Sequence, residues 1–139
     1  MSKVVVVSGY FNPVHKGHTR MFQQARSLGD SLTVILNSDA QVLKKGSIPF
    51  MNQYERKEVL EAIRWVDKVI ISVDRDATVC KTLARIEPIP AIFANGGDRR
   101  NERDLPEMNI CKARGITMVF NVGGDKIQSS SWLKQHISS

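Results

Sequence analysis

Two of the three histidines in the chain, His15 and His18, stand three residues apart, with Gly17 directly before the second. They belong to the stretch Ser8-Gly9-Tyr10-Phe11-Asn12-Pro13-Val14-His15-Lys16-Gly17-His18, which follows the run Val4 to Val7 and precedes a segment of helical spacing. With His15 in the loop and His18 in the first helical turn, both rings can face one point above the helix N-terminus. Unpaired N–H groups and a partial positive charge make that point a site for a phosphate. Gly9 and Gly17 would let the backbone approach a ligand closely. Zinc ligation fits poorly, because the third histidine, His136, lies near the C-terminus and no cysteine is close in sequence. The plain alternative is a surface loop with incidental histidines.

Other groups suit the same anion chemistry. Lys44 and Lys45 fall beyond a strand end, where a flexible ammonium reaches a triphosphate or merely stays solvated. Arg56 sits on a helical segment whose apolar face is made by other residues, so it points to solvent or to a site. Asp98, after Gly96 and Gly97, suits a ribose or base edge, or a turn. Ser129, Ser130 and Ser131 open a short final helix, offering hydroxyls and helix-end N–H groups to anionic oxygens, or an ordinary serine cap. Trp65 and Trp132 read as packing residues.

These groups need a frame. Val4 to Val7, Leu32 to Leu36, Val69 to Val73, Ala91 to Ala94 and Ile116 to Val122 read as buried strands. Helical spacing lies between them. Met21, Phe22, Ala25 and Leu28 share a face that Gly29 ends, and Val59, Leu60, Ile63 and Val66 share another, with Asn52 and Glu55 set as a capping box. A third helix is expected from Thr78 to Ile86, with Asp76 near its start, and a fourth after Asp104, carrying Pro106 and Glu107 in its first turn and ending at a left-handed Gly115. The alternation predicts a single α/β, Rossmann-like domain over residues 1–139, with a five-stranded parallel sheet and helices on both faces. Ligands of such sheets bind at the carboxyl ends of the strands, where the winding reverses.

Composition narrows the partners. A chain of 139 residues with 42% hydrophobic and 24% charged residues sustains one core and is not disordered. No apolar stretch approaches the ~20 residues of a membrane span, and the N-terminus lacks the pattern of a signal peptide, so a cytoplasmic protein is expected. The net charge of +6 suits polyanions, yet the basic residues are scattered, which speaks against nucleic acid and membrane partners and leaves small phosphorylated substrates. Cys80 and Cys111 are read as buried, reduced thiols.

The string Gly-Tyr-Phe-Asn-Pro-Val-His-Lys-Gly-His resembles the HxGH signature of the nucleotidyltransferase superfamily that includes the cytidylyltransferases. Similar segments continue in order: Leu28-Gly29-Asp30, Asn37-Ser38-Asp39, Lys45-Gly46 with Pro49, Glu55-Arg56, Ile63-Arg64-Trp65-Val66-Asp67, Gly96-Gly97-Asp98 and the serine triplet. The resemblance implies attack by a substrate phosphate on the α-phosphorus of a nucleoside triphosphate, with pyrophosphate leaving. It implies His15, His18, Lys45 and Arg56 as catalytic, His18 foremost. It implies nucleotide contacts from Gly9, Tyr10, Phe11, Asn12, Gly17, Lys44, Gly96, Asp98, Lys126, Ser129, Ser130 and Ser131. Mg²⁺ is implied on the phosphates, and a homodimer in solution. Two departures stand out: Asn12 replaces a frequent aspartate, and Lys126 stands near a missing arginine. Among members, CTP with glycerol 3-phosphate is the expected pair, and ATP with a sugar phosphate of the heptose phosphate type the alternative. A regulatory nucleotide-binding module without catalysis and a basic RNA-binding domain are the competing classes.

Overall fold

The computed structural model describes residues 2–96, 105–120, 122–123 and 128–129. The order is β1 (Val4–Gly9), α1 (Lys16–Arg26), β2 (Ser31–Leu36), α2 (Asp39–Lys44), α3 (Gln53–Glu61), β3 (Lys68–Ile71), α4 (Cys80–Arg85), β4 (Ile92–Ala94), α5 (Met108–Arg114), β5 (Thr117–Phe120) and β6 (Gln128–Ser129). The sheet runs β3-β2-β1-β4-β5-β6. Its first five strands are parallel, as the alternating pattern requires, and the two-residue β6 adds an antiparallel edge, pairing Val119 with Ser129.

The pleat sorts the apolar residues onto two faces. Val5, Val7, Val34 and Leu36 meet Phe22 and Ala25 of α1 and Leu60 of α3 on one side. Val6, Ile35, Phe93 and Met118 meet Leu83 of α4 and Cys111 of α5 on the other. Winding therefore runs outward from β1 through β2 to β3, then returns to β4 and β5 with its helices on the opposite face. The reversal falls between β1 and β4, at whose carboxyl ends the crevice must lie.

Several local signals hold. The Asn52 side chain accepts the Glu55 N–H at the start of α3, the Asn52 half of the expected capping box, and Gly115 caps α5 at φ 70°. Other expectations are corrected. Lys44, expected only beyond a strand end, closes a short helix over residues 39–44, where the Ser38 and Gln41 side chains each accept the other's backbone N–H as a capping box. Val59 is exposed, and α3 ends at Glu61, so Ile63 and Val66 reach the core from beyond the helix. At α4, Asp76 holds only the Thr78 turn, whereas buried Asp74 accepts the N–H groups of Lys81 and Thr82. Ser129 lies in β6, and the final helix expected to start within the serine triplet otherwise falls outside the described residues. Both cysteines are free, with Cys111 buried and Cys80 partly exposed; burial raises both thiols, that of Cys111 to about 12. Among the described residues, no helix is long and apolar enough to cross a membrane.

Candidate active site

The loop leaving β1 is built around an aromatic wedge. Phe11 takes a left-handed φ of 45° and turns its ring inward, where it is buried edge-on against Phe22 and His18. Gly9 makes this possible, since a Cβ there would meet Phe11 Cζ at 2.7 Å. Gly17 has a similar reason: a Cβ there would lie 2.9 Å from His15 Cε1. Both glycines therefore make room for rings of the loop itself, and both also line the cavity described below.

The two histidines cap α1. His15 is the N-cap, and its Nδ1 accepts the Gly17 N–H at 3.1 Å; Nδ1 of His18, in the first turn, accepts the His15 N–H at 3.0 Å. Histidines thus replace the usual Ser and Glu of a capping box. Because each Nδ1 accepts, each ring carries its proton on Nε2. The rings stack with centroids 3.8 Å apart. Desolvation, with repulsion from His15 second, lowers the His18 pKa from 6.5 to about 4. At neutral pH, His18 is a neutral donor beside the positive end of a helix.

The rings line a cavity of about 680 Å³ at the carboxyl edge of the sheet, crossing the point where the winding reverses. Of the residues expected at the site, Gly9, Tyr10, Phe11, His15, Gly17, His18, Lys45 and Gly96 line it. Lys45 places its ammonium 4.2 Å from the Tyr10 ring centroid. Lys44 is the exposed last residue of α2 and does not line the cavity. Asp98, Lys126, Ser130 and Ser131 lie outside the described residues, and of Ser129 only its place in β6 is described.

Arg56 goes elsewhere than the sequence reading directs it, and Asn12 is tied to a neighbouring segment. Arg56 is 1% exposed and absent from the cavity lining. Its guanidinium donates to the carbonyls of Tyr10, Asn37 and Met51 and to Asp39 Oδ1, all within 2.7–3.0 Å. Four of its five N–H groups are thereby spent, which corrects its assignment to a phosphate: it ties the β1 exit to the β2 exit. Asn12 lines a second recess, yet its amide donates to Ile48 O at 3.0 Å and accepts the Phe50 N–H at 2.6 Å. It fastens the histidine loop to the segment after Lys45.

Polar residues missed from the sequence also line the cavity: Asn37 and Asn95, which follow β2 and β4, and Glu107 before α5. The rule that ligands sit beyond strand ends could have found the asparagines; nothing local marks Glu107. Asn37 is 3% exposed and its side-chain amide makes no hydrogen bond among the described residues. Glu107 is 7% exposed, with Oε2 accepting the Val79 N–H at 3.0 Å. A buried polar group without a partner costs roughly 1–3 kcal/mol.

The comparisons agree with this frame. The family model described as Cytidylyltransferase-like matches residues 6–137. The chain belongs to the cytidylyltransferase-like family. The FAD synthase of Thermococcus sibiricus is 46% identical over 97% of this chain and 93% of its own length. The Bifunctional protein HldE of Koribacter versatilis is 39% identical over 69% of this chain and 19% of its own length, and that of Rhodopseudomonas palustris is 37% identical over 86% and 24%. The chain thus spans about a fifth to a quarter of the HldE proteins it matches. Among solved structures, the lipopolysaccharide core biosynthesis protein from Thermoplasma volcanium GSS1 superposes with a TM-score of 0.75, at 21% identity over 90% of this chain and 100% of that one, which shows a shared fold.

Proposed function

We propose that the chain transfers a nucleotidyl group from a nucleoside triphosphate to the phosphate of a small phosphorylated acceptor. The observation that carries this reading is the pair of imidazoles stacked at the α1 N-terminus, each with Nδ1 on a backbone N–H and Nε2 left over, lining a cavity at the winding reversal. An acceptor phosphate is already an anion near pH 7, so no general base is required. Its oxygen forms a bond to the α-phosphorus while the bond from that phosphorus to the α,β-bridging oxygen breaks, and pyrophosphate leaves with the electron pair. The His15 and His18 Nε2–H groups, at the positive end of α1, hold the α-phosphate oxygens as charge builds. Lys45, whose ammonium sits over Tyr10, meets the triphosphate or acceptor phosphate. Arg56 and Asn12 position these groups through the loops they tie.

ATP is favoured as donor over the CTP expected from the sequence, because a full-length relative is named FAD synthase and FAD contains an adenylyl group. Among the described residues, no group of three or more His, Cys, Asp or Glu could hold a metal. Mg²⁺, which prefers oxygen ligands, fits as a companion of the triphosphate oxygens, where it supplies charge neutralisation. A homodimer in the cytoplasm completes the proposal. The test is pyrophosphate release from ATP, CTP, GTP and UTP, each offered with glycerol 3-phosphate, sugar phosphates and FMN. Release with ATP and at least one acceptor supports the reading; a folded chain that binds none of the four nucleotides overturns it.

A further inference from the structure

The chain between β3 and α4 crosses the carboxyl edge of the sheet on its way to the opposite face, and Ala77 and Val79 of this crossing line the cavity. Among the described residues, residues 75–78 make no hydrogen bond from backbone to backbone. One side chain from another element holds their carbonyls instead. Gln41, in the first turn of α2, is fully buried, and its Nε2 donates to the Asp76 carbonyl at 2.7 Å and to the Thr78 carbonyl at 2.9 Å. Its Oε1 accepts the Ser38 N–H at 2.9 Å, directly after Asn37, which lines the same cavity. Both amide hydrogens and the amide oxygen are thereby used. A single planar amide thus spans from the β2 exit to the crossing and sets how far apart these two parts of the cavity lining stand.

We propose that Gln41 is a positioning residue for the transfer: it does not line the cavity itself, and it fixes the crossing that brings Ala77 and Val79 to bound substrate. The inference rests on the nucleotidyl transfer reading. Alanine and valine bring no charge to the site, so this wall holds a ligand alike before and at the transition state. Developing charge is met elsewhere, by the histidines and Lys45. An interaction of that kind acts on KM and leaves kcat nearly unchanged. The competing role is capping alone. It is separable, because the Gln41 N–H is capped by the Ser38 hydroxyl at 3.2 Å, a bond that the crossing does not share.

Two variants of the full chain test this. Gln41→Glu keeps an acceptor for the Ser38 N–H but turns an oxygen, in place of the donors, on the Asp76 and Thr78 carbonyls. Ser38→Ala removes the capping hydroxyl and leaves the bonds to the crossing. Pyrophosphate release is measured with ATP and whichever of glycerol 3-phosphate, ribose 5-phosphate and FMN turns over fastest, with thermal unfolding alongside. In Gln41→Glu, KM for ATP or for the acceptor is expected to rise by about tenfold or more, with kcat nearly unchanged. In Ser38→Ala, Tm should fall and both constants should stay at their wild-type values. Where Gln41→Glu fails to fold, Gln41→Met, close in volume and without the repulsive oxygen, gives the same readout. Unchanged KM values, a fall in kcat alone, an equal KM rise in Ser38→Ala, or failure of both Gln41 variants to fold overturns the proposal. An active wild type beside an unaffected Gln41→Glu overturns this proposal alone. A wild-type chain that releases no pyrophosphate with any of the three acceptors overturns the transfer reading, and this proposal with it.

Discussion

The ring of His18 lies on that of His15, with centroids 3.8 Å apart and planes 28° from parallel, and each ring spends Nδ1 on a backbone N–H of the same turn. Capping is therefore done by the Nδ1 edges of the two side chains, which leaves the Nε2 edges for the proposed chemistry. The inner nitrogens fix rotation and tautomer, and the outer ones are left as donors.

His18→Ala is expected to lower turnover by about 10² to 10³, the loss typical of removing one preorganised donor to a developing oxyanion. Steady-state pyrophosphate release measures it. Unchanged turnover would remove the central residue of the mechanism.

Stability should fall on the acid side because of His18. Desolvation first, then repulsion from His15, lowers its folded pKa from 6.5 to about 4. Above pH 6.5 both folded and unfolded chains hold it neutral, so it contributes no pH dependence. Between 6.5 and about 4 the unfolded chain takes the proton first, and stability falls with falling pH; below about 4 the loss is complete. Thermal unfolding across that window should show a smaller drop for His18→Asn. In NMR titration, His15→Ala should raise the His18 pKa toward 6.5.

Gly17→Ala separates stability from activity. An alanine favours the helix by roughly 0.5–1 kcal/mol over glycine, but its Cβ would meet His15 Cε1 at 2.9 Å. The ring must shift, so turnover should drop by about tenfold or more at an unchanged or raised Tm.

Arg56→Ala is expected to cost about 3–5 kcal/mol, because it strips a fully buried cation from the Asp39 carboxylate and three carbonyls. Arg56→Lys should recover only part of this, since an ammonium lacks the fork. Urea unfolding reads both. Wild-type stability with weakened nucleotide binding would return Arg56 to the phosphates.

Asn12→Asp sets a carboxylate against the Ile48 carbonyl in place of a donor, while the Phe50 N–H keeps its acceptor. The expected cost is about 1–3 kcal/mol. Kinetically, the loosened Lys45 segment should raise KM for the triphosphate more than it lowers kcat.

Much of the frame was legible in the chain because it is written in local patterns. Short β-branched runs alternating with helical spacing dictate a parallel sheet with crossovers, and the histidine spacing at the first strand exit dictates a helix cap facing the carboxyl edge. The limits are equally physical. A guanidinium on an exposed-looking helix face and one in a buried clamp have the same sequence signature, so Arg56 could not be told from a phosphate ligand. The tie that Asn12 makes was equally hidden, because its partners, Ile48 and Phe50, lie 36 and 38 residues away.

What the sequence determined by itself was the order of elements, the strand exits that line the cavity and the two histidines at the first of them, since periodicity and capping act over a few residues. Tertiary structure alone decided which polar groups line the cavity. Asn37, Glu107 and Arg56 take their places from burial and from carbonyls and amides on other elements, and burial is a property of how the sheet and its two helical layers close together.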